Sequence, residues 1–173
     1  MIVRLTQKLA KKIHVAPTKS YPLDVNPLAD WSAHLFTVSR TQFILITSTA
    51  TLYSAVLYGR GIPDDGRFLD CMLSTLSGVF EEDGLGLAFQ KLVAPAARTV
   101  VFSKALSRTV TGSMNDHIMG AKIYLGEFDT SLAETTQRLN CTPLSAINYD
   151  SPRRATQALC DDLMSRRKES QCS

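Results

Sequence analysis

The chain has 173 residues, 45% hydrophobic and 20% charged. That is ordinary for a globular protein and long enough to bury a core without staples, which excludes wholesale disorder. The net charge of +3 is too small to imply nucleic acid by itself, and apolar runs such as residues 43–46 fall far short of the ~20 residues that cross a bilayer.

Residues 2–5 form a short apolar run and read as a strand. Thr6 is placed to cap a basic helix over residues 7–13, with Leu5, Leu9 and Ile13 on one face. Pro17, Pro22 and Pro27 make residues 16–28 a loop. Trp31 then opens a β region. Residues 33–38, 42–47 and 53–58 are runs rich in β-branched and aromatic side chains, separated by short polar connections, which is the pattern of an antiparallel meander. Residues 43–46 are apolar on both faces, so their strand is expected to be central and covered on both sides. Asp64 or Asp65 starts a helix on which Phe68, Met72, Leu76 and Phe80 recur every four residues, and Gly84 ends it. A second short helix covers residues 85–93, and residues 99–103 read as a further strand of the same sheet.

The last third is helical. Ser113 with Asp116 resembles a capping box starting a helix over 114–125, and Ser131 with Glu134 makes another for 132–140. Ser151 and Pro152 open a final helix with Ala155, Leu159 and Leu163 on one stripe, followed by a polar, frayed tail from 167 that includes Cys172. Strands cluster early and helices late. The expected fold is α+β: an antiparallel β-meander sheet of about four to five strands packed with helices mainly from the C-terminal half, in one domain over residues 1–166.

Charge is segregated along the chain. Residues 1–14 carry Arg4, Lys8, Lys11 and Lys12 without an acid, residues 64–83 are acidic, and Arg153 and Arg154 open a second basic stretch. Solvated helix faces of opposite sign account for this pattern. So does a phosphate-contacting surface built from Lys8, Lys11, Lys12, Arg153 and Arg154.

No motif forces a chemistry. Cys71, Cys141, Cys160 and Cys172 contain no C-x-x-C pair, and His14, His34 and His117 lack ligand spacing, so no metal and no cofactor is expected. Free thiols and a basic amphipathic start, in place of a signal peptide, make a cytoplasmic location the expectation. Ser32 and His34 share a strand face, without a nucleophile elbow. A polar pocket of Trp31, His34, Arg40, Arg108, Asn115 and Asp116 requires the first meander strand to meet the helix after Ser113. In that arrangement His34 and Asp116 are the catalytic candidates and the other four bind. Residues 111–115 lead into a helix N-terminus that favours an anion, with plain capping as the alternative.

The run Met1-Ile2-Val3-Arg4-Leu5-Thr6-Gln7-Lys8-Leu9, followed by Trp31-Ser32-Ala33-His34-Leu35-Phe36-Thr37-Val38 and Arg40, resembles a bacterial family of uncharacterised proteins classed as a domain of unknown function. Its members begin with a strand and basic helix reading roughly I-x-x-L-T-x-K-L, then carry a W-x-A-x-L strand. Ser113-Met114-Asn115-Asp116 and Leu139-Asn140-Cys141-Thr142-Pro143 continue the likeness, which spans about residues 1–165. The resemblance implies the fold and no activity.

Two function classes stay open. One is a non-enzymatic binding module that contacts a protein partner or nucleic acid through its basic segments. The other is a small hydrolase or transferase with a polar pocket around His34 and the helix start at Ser113. A homodimer through the sheet edge or the 68–80 helix is a third role, and no membrane partner is expected.

Overall fold

The computed structural model describes residues 1–106 and 108–171. Cys172 lies outside them. The five strands are β1 (Ile2–Leu5), β2 (Asp30–Val38), β3 (Thr41–Ser48), β4 (Ser54–Tyr58) and β5 (Val101–Lys104). The helices are α1 (Gln7–Lys12), α2 (Asp65–Glu82), α3 (Gly86–Ala88), α4 (Arg108–Gly126), α5 (Leu132–Cys141) and α6 (Pro152–Gln171). The chain is α+β.

The three-strand meander forms as its pattern dictates, with β2, β3 and β4 paired antiparallel. The whole sheet is not antiparallel, however. Its order is β4-β3-β2-β1-β5, and β1 pairs parallel with both β2 and β5. This corrects the expectation of a purely antiparallel sheet. The physical reason is the long connection before each parallel partner: β1 reaches β2 through α1 and a loop, and β5 returns to β1 only after α2 and α3.

Helices cover both faces, and they are not confined to the C-terminal half. On the first face α1, α2, α3 and α6 pack over Val3, Leu5, Trp31, Leu35, Ile44 and Ile46. On the second, α4 and α5 pack over Phe36, Phe43, Leu45 and Val56. Every residue of β3 from Phe43 to Ser48 is buried, as its two-faced apolar run requires. Phe80 of α2 anchors the first layer, with ring centroids 6.3 Å from Trp31, 5.3 Å from Tyr53 and 5.6 Å from Phe89.

Local signals set most helix ends. The Asp64 side chain accepts from the Arg67 amide at 2.8 Å. Gly84, at φ 75°, closes α2 with its amide on Glu81 O and the Leu85 amide on Phe80 O, a glycine-dependent C-terminal motif. Ser131 caps α5 through the Glu134 amide. Two ends differ from the sequence reading. Helix α4 begins at Arg108, six residues before Met114, because Val110 and Met114 both pack into the second core and draw the Thr109–Gly112 stretch into the helix despite its weak propensity. Ser113 is thus a buried mid-helix residue. Helix α6 continues to Gln171, through the residues read as a tail.

The first strand carries a buried ion pair. Arg4 is 1% exposed. Its Nε and Nη2 donate to both oxygens of Asp30 at 2.7 and 2.6 Å, and further bonds reach the Tyr21 and Pro22 carbonyls. The fork geometry satisfies the guanidinium almost completely, which is what makes a buried charge tolerable. The pair also ties the 21–24 loop over the β1–β5 edge.

Candidate functional site

Helix α1 follows directly from β1. Thr6 has the extended backbone of a capping residue, but its side chain makes no cap bond. Its Oγ1 is enclosed and unpartnered. The parallel register sets Leu5 opposite Ala33, and the Thr6 amide donates to Ala33 O. The next step of that register sets Thr6 beside His34, on the same sheet face.

His34 is half-buried. Its Nδ1 points inward with no hydrogen-bond partner, leaving Nε2 as the nitrogen turned outward. Burial lowers its pKa, and the ammonium groups of Lys8 from α1 and Lys122 from α4 lower it further. The charges of two lysines from opposite helical layers are thus both felt at one imidazole. Both lysines are exposed, and neither forms an ion pair among the described residues. Lys11 is exposed on the same short helix, and Lys12 donates to Gln42 Oε1 at 2.9 Å.

The remaining basic candidates are placed differently. Arg40 sits exposed at the tip of the β2–β3 hairpin with φ 69°. Arg153 pairs with Asp83 at 3.2 Å and Arg154 with Asp150 at 3.5 Å, so both charges are answered within the protein. Arg108 opens α4, far along that helix from Lys122. Asn115 and Asp116 lie on its exposed side. Lys122 stands two turns beyond Asn115, roughly 10 Å along the axis. No hydrogen bond joins His34 to Asp116, whose charge acts on His117 instead. Trp31 is fully buried on the first face, its Nε1 donating to Leu28 O at 2.9 Å. It is a core residue and does not line a surface pocket. The six-residue polar pocket therefore does not assemble.

A serine–histidine pair does occur elsewhere. Ser54 Oγ lies 2.8 Å from His117 Nδ1 and 2.8 Å from Thr47 Oγ1, and it donates to Leu52 O at 3.0 Å. The hydroxyl thus has three neighbours for one proton, and His117 Nε2 is enclosed and without a hydrogen-bond partner. Ser54 is fully buried and His117 nearly so. A serine and a histidine buried this deeply present no nucleophile to a substrate. This is a core polar network.

Three cavities are relevant, and none is lined by His34 or by the pocket residues named above. A groove of 720 Å³ runs between α2, the β4 edge and α5, with Arg60, Arg67, Cys71 and Glu82 on its walls. A smaller, mostly apolar one of 310 Å³ lies beside Asp30 and Val110. A third of 610 Å³ opens where β1 and β5 end. Cys160 is buried, and burial raises its thiol to about 11, which leaves it unreactive. No group of three or more His, Cys, Asp or Glu among the described residues is placed to hold a metal ion. No helix among them is long and apolar enough to cross a membrane.

A family model described as a domain of unknown function (DUF6933) matches residues 2–155. The chain belongs to this family. The DUF6933 match takes in the whole sheet, α1 to α5 and the start of α6, and so includes Thr6, Lys8, His34 and Lys122. No curated protein matches the chain. The residues that sequence reasoning missed in this DUF6933 chain are Thr6 as an enclosed hydroxyl and Lys122 as a neighbour of His34. Neither leaves a local signal, since both depend on how α1 and α4 pack around β2.

Proposed function

We propose that the chain is a non-enzymatic binding module of a bacterial cytoplasm that takes the phosphate backbone of a nucleic acid on the surface around His34. One observation carries this reading: the charges of Lys8 and Lys122, on separate helices, both act on His34, and neither lysine forms an ion pair among the described residues. Ammonium groups without ion-pair partners attract phosphates and release counterions when phosphates arrive. Lys11 and the hairpin-tip Arg40 are further exposed cations. The C-terminal arginines contribute less, because each already has a carboxylate partner. A reducing compartment fits the free cysteines.

Fluorescence anisotropy of a labelled single-stranded RNA and a labelled DNA duplex, measured across a salt series, tests the reading. The wild-type affinity should fall with salt. A Lys8→Ala/Lys122→Ala double variant should bind more weakly, with a log–log slope shallower by about two. Wild-type binding with no salt slope, or a slope unchanged in the double variant, would sink it. Absence of binding to either probe would also sink it and is the outcome expected if the partner is a protein.

A further inference from the structure

We propose that the crevice beyond the ends of β1 and β5 binds a small organic monocarboxylate with an apolar body, its carboxylate held by Lys104. Leu5 and Lys104 are register partners, so the two parallel strands end side by side. From that point the chain diverges. It leaves β1 into α1, whose Leu9, Ala10 and Ile13 pack on the first face. It leaves β5 towards α4, whose Met114, Ile118 and Ala121 pack on the second. A split of this kind leaves a space between the strand ends that neither connection fills. In open sheets with parallel strands, that is where ligands bind.

The space is present here as a cavity of 610 Å³, within the range that encloses a small metabolite. Its chemistry is one-sided. Leu5, Ala10 and Ala105 supply apolar wall, and Gln7 adds a neutral polar group. Lys104 is the single charged residue of the lining; no carboxylate faces it from within the crevice. The Lys104 side chain is exposed and forms no ion pair among the described residues. Its backbone is fixed, the amide donating to Lys19 O at 3.0 Å. One ammonium over an apolar hollow matches one negative charge on an apolar body. The apolar wall favours a ligand with an apolar body over an inorganic phosphate. The inference uses none of the lysines of the cation surface around His34 and does not rest on the nucleic-acid reading.

Amide NMR titrations with phenylacetate, phenylethanol and phenethylamine test it, since these share a ring and differ in charge. Phenylacetate should give saturable shifts at residues 5–7, 15, 16, 104 and 105, and bind roughly tenfold tighter than phenylethanol. Lys104→Met should erase that preference with the amide spectrum otherwise intact, and Ala105→Leu should weaken both ligands by narrowing the crevice. The Lys8→Ala/Lys122→Ala variant should bind phenylacetate as the wild type does. Absence of saturable shifts at these amides, phenethylamine binding as tightly as phenylacetate, or a preference that survives Lys104→Met would each overturn the assignment.

Discussion

Acidification from about pH 7.5 to about pH 5 should remove about 2 kcal/mol of folding stability through His117 alone. Burial pushes this imidazole down from 6.5 to about 4, and the nearby Asp116 carboxylate offsets only part of the effect. The folded ring stays neutral because it is buried, with Nε2 in an enclosed space that offers a second proton no partner. The unfolded chain takes up a proton near pH 6.5, whereas the folded chain resists it until about pH 4. His117 therefore contributes its full stability above pH 6.5 and loses it as the pH falls towards 4. At about 1.4 kcal/mol per pKa unit the whole gap is worth about 3 kcal/mol, most of it reached by about pH 5. Urea unfolding at a series of pH values, for wild type and His117→Asn, isolates this contribution. Asparagine keeps an amide where Nδ1 stood but does not titrate, and all other ionisable groups are common to both proteins. The variant should be less stable near neutral pH by about 1–2 kcal/mol for the lost ring atoms. The two stability curves should then converge as the pH falls. Parallel curves between about pH 7 and pH 5 would refute the reasoning.

Other consequences are open to similar measurements. Asp30→Ala leaves the Arg4 guanidinium buried without its carboxylate and should cost about 3–5 kcal/mol in urea unfolding; a loss below about 1 kcal/mol would mean that water reaches Arg4. Arg40→Gly relieves a left-handed non-glycine residue at the hairpin tip and should raise stability by about 1 kcal/mol, so an unchanged melting curve would argue against strain there. If phosphates dock beside His34, affinity should rise with acid only below pH 6.5, because burial and the two lysines hold its pKa under the usual histidine value; His34→Gln should flatten that rise, and a rise that persists in the variant assigns it elsewhere. Asn140 bonds both backbone groups of Ser54 on the outer edge of β4, and Thr136 accepts from the Val56 amide. Asn140→Ala should uncover this edge and cost about 1–3 kcal/mol, with light scattering reporting whether the freed strand pairs between chains.

What the sequence reveals is what is encoded over short distances. The alternation and turns of residues 33–58 specify the meander because each strand meets its partner through a tight hairpin. The four-residue recurrence from Phe68 to Phe80 specifies α2 for the same reason. The parallel strands are different. Their partners are separated by α1 and its loop on one side and by most of the sheet and two helices on the other, so a four-residue run such as Ile-Val-Arg-Leu carries no sign of them. Arg4 illustrates the point. It reads as one more cation of a basic segment, yet it is buried by Asp30, far along the chain. The candidate site was legible only in its basic helix. Lys8, Lys11 and Lys12 are visible as a charge cluster, but that Lys8 and Lys122 both act on His34 depends on tertiary packing. Trp31 misled in the opposite direction, since an aromatic residue opening a strand reads equally as a binding platform or as core.

The mixed sheet also has a consequence for how the protein reaches its native state. The β2–β4 half closes through contacts between near neighbours in the chain and can form early. The β1–β5 ladder joins residues roughly a hundred positions apart, and closing so long a loop is slow and entropically unfavourable. The crevice at the strand ends depends on that ladder. The binding surface should thus be among the last parts of the molecule to appear during refolding, after the meander has already excluded water from its core.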